Sequence, residues 1–89
     1  MTGKPEPFQT SELPLAAAII ASGFPLLEVG GKSGFSLVFS FAYNDKIPKI
    51  EQAYYDGTLA TQVLPFINAE RKLRGIIKRW RAEHDDPHR

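Results

Sequence analysis

Eighty-nine residues, 43% apolar and 11% aromatic, make one small globular domain and leave no room for a second. Eleven Lys/Arg against ten Asp/Glu leave a net charge of +1, which excludes a chain-wide field strong enough to gather nucleic acid; any basic surface must come from local segregation of charge. The absence of cysteine removes disulfide scaffolds, thiolate zinc sites and cysteine nucleophiles together, and it fits a reducing compartment.

In chain order, Met1 to Pro7 reads as a loose arm and Phe8 to Thr10 as a short extended piece entering the fold. Thr10 or Ser11 can cap a first helix, with Glu12 and Pro14 in its opening turn, where acid suits the dipole and the missing proline N–H costs little. Leu15, Ala18, Ile19 and Ser22 recur at helical spacing, Leu13 and Ile20 broaden that face, and Gly23 stops the helix. The Leu13–Ala21 run is too short to span a bilayer, and Glu6 and Glu12 precede it where a signal peptide needs positive charge. A cytoplasmic protein without membrane attachment is expected.

Phe24 to Val29 then reads as a strand, Gly30-Gly31-Lys32-Ser33-Gly34 as a turn, and Phe35 to Phe41 as a second strand. In the latter, Phe35, Leu37, Phe39 and Phe41 alternate with Ser36, Val38 and Ser40, which predicts a hairpin with one buried face. Asp45 starts a short helix with Pro48 in its first turn; Ile47, Ile50 and Tyr54 line one side and Gly57 ends it. Residues 58–64 fit either an extended connector or an early helix start. Pro65 suits the first position of a last helix running to about Ala82, and His84 to Arg89 form a polar, fraying tail. A lone hairpin is marginal in water, so its aromatic face must pack on helices. The expected fold is therefore a two-layer α+β domain over residues 8–83, ordered α-β-β-α-α, with a hairpin or, counting a strand near residue 8, a three-stranded sheet.

The chemical motifs are weak. Gly30-Gly31-Lys32-Ser33 resembles part of a phosphate-binding loop, but Leu26 stands where its first glycine belongs and a strand follows where a helix is needed. His84 and His88 flank Asp85-Asp86 in a tail broken by Pro87, with no further ligand elsewhere. No histidine lies within the expected core to activate a nucleophile, and no acidic pair is placed to share a reaction. The chain reads as a non-enzyme with no cofactor, metal or small-molecule substrate.

The last helix is more informative. Phe66, Ala69, Leu73, Ile76, Ile77 and Trp80 fall in one core-facing stripe. Arg71, Arg74, Lys78 and Arg81 recur three and four apart on the other side, flanked by Lys72 and Arg79, so that Glu70 to Arg81 carries six positive charges against one negative. Such a face repels itself and gains little from helical ion pairs. Gly75 sits among the basic residues, where it costs about 1 kcal/mol relative to Ala. It either lets another molecule's backbone approach or answers a packing need inside the fold. Tyr54 continues the apolar face of its helix, whereas Tyr55 either stacks on a partner or ties down the neighbouring turn.

The set Thr10-Ser11-Glu12-Leu13, Ala21-Ser22-Gly23-Phe24, Ala53-Tyr54-Tyr55-Asp56-Gly57, Phe66 and Arg71-Lys72-Leu73-Arg74 resembles an uncharacterised bacterial and phage domain of unknown function, family fifty-six fifty-nine. The likeness spans residues 8 to about 78. It implies an architecture of small-residue helix, Phe-rich hairpin and basic helix, but no activity. From the residues themselves, the leading expectation is weak phosphate-backbone binding of nucleic acid through Arg71, Arg74, Lys78 and Arg81, with Lys72, Arg79 and Tyr55 at the margin. The alternative is a protein-interaction or self-assembly module, a homodimer included, using the exposed hairpin edge, Ile67 and Trp80.

Overall fold

The computed structural model describes residues 6–32 and 36–84, and it is an α+β domain of three strands and three helices. In chain order these are β1 (Phe8–Thr10), α1 (Leu13–Ala21), β2 (Leu26–Lys32), β3 (Ser36–Phe41), α2 (Lys46–Asp56) and α3 (Val63–His84). The short piece at Phe8 is a true strand. It pairs antiparallel with β3, as β2 does from the other side, giving the sheet order β1-β3-β2. The hairpin's second strand is thus the sheet's centre, and the free edges are β2 and the three-residue β1.

The core lies between one sheet face and the helices. Leu37, Phe39 and Phe41 project from β3 into a cluster with Leu15, Ala16, Ala17, Ile19, Ile47, Ala69 and Leu73. Phe8, Leu26 and Val29 continue the apolar face onto the outer strands. All six expected core residues of α3 join this cluster, Ala69 and Leu73 buried and Phe66, Ile76, Ile77 and Trp80 partly so.

Helix α1 departs from the single stripe its spacing predicts. Leu15 through Ile19 are five consecutive residues at 0% exposure, more than a full turn. The helix carries no charge between Leu13 and Ala21 because it is enclosed, with α2 and α3 both packed against it. Ala16, Ala17 and Ala18 keep its profile thin enough for those neighbours. Its start also differs: Glu12 holds the cap position without a side-chain bond to the helix, while Thr10 Oγ1 accepts the Glu12 amide at 3.1 Å. At the other end Gly23 takes φ 104°, a left-handed turn that favours glycine.

The glycine pair is the clearest correction. Gly30, Gly31 and Lys32 lie inside β2, paired with Val38, Leu37 and Ser36, and not in a turn; Ser33 and Gly34 of the expected turn, and Phe35, lie outside the described residues. A Cβ on Gly31 would come within 2.7 Å of Trp80 Cη2 and 2.9 Å of Cζ2, so this glycine makes room for the indole of α3. The strand itself begins at Leu26 rather than Phe24, and a bulge at Leu27 turns that side chain outward, 58% exposed.

Helix α2 starts after Asp45, with Asn44 Oδ1 accepting the Lys46 amide at 2.8 Å, and ends at Gly57 with φ 77°. Helix α3 begins at Val63, resolving the ambiguous connector, so Pro65 is its third residue and not its first. It continues past Ala82 to His84. The arm and tail expected at the chain ends fall outside the described residues, apart from Glu6, Pro7 and His84.

Candidate functional site

With Leu73 facing the core and about 100° between successive residues, the outward surface of α3 divides into two flanks. Arg71, Arg74, Lys78 and Arg81 run along one, and Lys72 and Arg79 along the other. All six side chains are exposed. Gly75 lies between the flanks, and its neighbours three and four residues away are Lys72, Arg71, Lys78 and Arg79. A Cβ on Gly75 would meet nothing within 4 Å, so among the described residues no internal packing need accounts for it.

Neutralisation within the chain is slight. Among the described residues the one ion pair is Arg74 Nη2 to Glu70 Oε2 at 3.4 Å, between side chains 67% and 29% exposed. An exposed pair of this i,i+4 type contributes only about 0.3–0.5 kcal/mol. Neither Glu28, Glu51 nor Asp56 comes within salt-bridge distance of the basic face.

Charge is segregated along the chain. Helix α3 holds six Lys/Arg against Glu70 and Glu83, a net +4, while residues 6–62 hold Lys32, Lys46 and Lys49 against six carboxylates, a net −3. The near-neutral total conceals a basic helix on an acidic body. Among the described residues no carboxylate of that body pairs with the helix's cations.

Three of the cations share a groove. Arg74, Lys78 and Arg81 stand with Ile77 and Ala82 on one side of an open groove of about 660 Å³, and Leu13 at the start of α1 forms the other side. Arg71, Lys72 and Arg79 lie outside it. Tyr55 belongs to α2, which packs on α1, and it does not line the groove either. Its ring is 61% exposed and meets Tyr54 edge to face, with centroids 5.0 Å apart. Burial, with the Glu12 carboxylate and Tyr55 beside it, raises the Tyr54 hydroxyl above its ordinary pKa of 10.0.

Leu13 is the member that sequence reasoning missed. Its position in the first turn of α1 suggests only packing, and its place opposite Arg74, Lys78 and Arg81 follows from the α1–α3 contact. Other surfaces are less concentrated. The start of α3 exposes Val63, Leu64 and Ile67, whereas Trp80 is half-buried against the sheet. The outer sheet face is less open than its serines imply: Ser40 is buried, and its Oγ accepts a hydrogen bond from Gln9 Nε2 at 3.1 Å. No group of three or more His, Cys, Asp or Glu able to hold a metal occurs among the described residues, and none of their helices is long and apolar enough to cross a membrane.

A family model described as a domain of unknown function (DUF5659) matches residues 6–79, and the chain belongs to that family. Neither a curated protein nor a solved structure matches it.

Proposed function

We propose that this chain is a non-enzymatic, cytoplasmic binding domain whose exposed α3 surface holds the phosphates of nucleic acid. The observation that carries this reading is the uncompensated charge of one helix face: of Arg71, Lys72, Arg74, Lys78, Arg79 and Arg81, only Arg74 has a carboxylate partner among the described residues. Five exposed cations on one side of one helix have no carboxylate partner among the described residues and repel one another. They gain free energy when phosphates replace small counterions. Guanidinium groups stay protonated and offer no acceptor, so they suit anion binding and not general-base chemistry.

Arg71, Arg74, Lys78 and Arg81 make the principal contacts, Lys72 and Arg79 add to them from the second flank, and Tyr55 is peripheral. Titration of a labelled oligonucleotide at low salt tests the reading. Four phosphate contacts predict that log K falls with log salt at a slope of about −3. A flat titration at low salt sinks it.

A second reading is favoured by the open outer edge of β2 and by Leu27, turned outward at the bulge. An extended segment of another chain could pair along that edge. Light scattering at high concentration tests the self-association form: a monomer counts against it.

A further inference from the structure

We infer that the groove between α1 and α3 seats an unstacked nucleobase, so that the ligand of this face is single-stranded nucleic acid and not a duplex. The inference rests on the phosphate-binding reading above and specifies its substrate. A bare phosphate track needs cations alone. This groove has an apolar component as well, since Leu13, Ile77 and Ala82 line it together with Arg74, Lys78 and Arg81.

An unpaired nucleotide has the matching chemistry: a charged phosphate joined to a flat ring with two apolar faces. With the phosphate against the cations, the base covers the Leu13 and Ile77 side chains, and a guanidinium plane of Arg74 or Arg81 can stack on it. Duplex DNA keeps its ring faces inside the stack and offers sugar, phosphate and base edges, which leaves the apolar lining without a ring face to cover it. The groove volume of about 660 Å³ falls within the range of roughly 300–1,000 Å³ typical of ligand pockets. Arg71, Lys72 and Arg79, which lie outside the groove, then follow the backbone on either side of the seated nucleotide.

The test uses four labelled probes of about twelve nucleotides, a length within the site sizes common for strand binders. They are single-stranded DNA, single-stranded RNA, the DNA duplex, and an abasic strand that keeps the phosphates and lacks the bases. Fluorescence anisotropy is measured on the full chain and on Ala82→Leu, which narrows the groove without altering charge. Ala82 is exposed and leucine is a good helix former, so the variant should fold; thermal unfolding verifies this.

At least one of the single strands should bind roughly tenfold more tightly than the abasic strand and the duplex, the worth of one seated base. Ala82→Leu should abolish that advantage, bringing the single strands down to the affinity of the duplex and abasic probes. Equal affinity for all four probes, with Ala82→Leu silent, overturns the base seat and leaves phosphate binding standing. No binding to any probe removes both.

Discussion

Helix α1 is enclosed and α3 is half enclosed, and their sequences differ accordingly. Every side chain of α1 from Leu15 to Ile19 is spent on packing, and nothing charged occurs along the helix. Helix α3 spends Ala69, Leu73 and the partly buried Phe66, Ile76, Ile77 and Trp80 on the same core. Its remaining face carries six exposed cations, of which only Arg74 has a carboxylate partner among the described residues, and a glycine whose Cβ would meet nothing. Packing accounts for Leu15 to Ile19 of α1 and for the inner face of α3, so the outer face of α3 is where function is to be sought.

This contrast can be broken by substitution. Leu73→Ala on the inner side of α3 should cost about 2–5 kcal/mol, read by urea unfolding, because it empties a fully buried site. A cost below that range would mean that α3 is not a full member of the core. Ala17→Leu, on the enclosed helix, should destabilise by about 1–3 kcal/mol through overpacking. Gly31→Val should fall in a similar range of about 1–3 kcal/mol, since the new side chain meets the Trp80 ring; a change in tryptophan emission should accompany it.

The outer side should respond in the opposite way. Gly75→Ala meets open space and should stabilise by up to about 1 kcal/mol, raising the melting temperature. Arg71→Gln, Lys72→Gln and Arg79→Gln should each stay within about 0.5 kcal/mol. A large loss at any of them would show that the cations have a folding role after all.

The smallest effect concerns Tyr54. Its raised pKa means that folding favours the neutral hydroxyl, so this contribution is complete below pH 10 and is lost as pH rises through the higher folded value. Tyr54→Phe should flatten the alkaline limb of the stability profile. An unchanged limb would remove Glu12 and burial as influences on that hydroxyl.

Much of the fold was legible from local pattern. The alternation of Leu37, Phe39 and Phe41, the stripe from Phe66 to Trp80 and the stop signals at Gly23 and Gly57 all identify their elements, because periodicity and left-handed glycine turns are written within a few residues. Gly30 and Gly31 misled for a physical reason. Paired glycines before Lys32 and Ser33 have the chemistry of a turn, and the indole that requires Gly31 lies far along the chain. The all-round burial of α1 was equally hidden, since alanine fits a core and a surface alike. The basic residues of the site were visible as a charge pattern, but their division between groove and outer flank was not. That division depends on Leu13, brought opposite Arg74, Lys78 and Arg81 by helix packing alone.

The measurement closest to the central claim is the salt dependence of single-strand binding by the native chain and by a fourfold variant, Arg71→Gln, Arg74→Gln, Lys78→Gln and Arg81→Gln. A native slope of about −3 that becomes markedly shallower, with only the Lys72 and Arg79 contacts left, in a variant still folded and cooperatively melting is the predicted result. A slope that the four substitutions leave unchanged would contradict the assignment of phosphate binding to this helix.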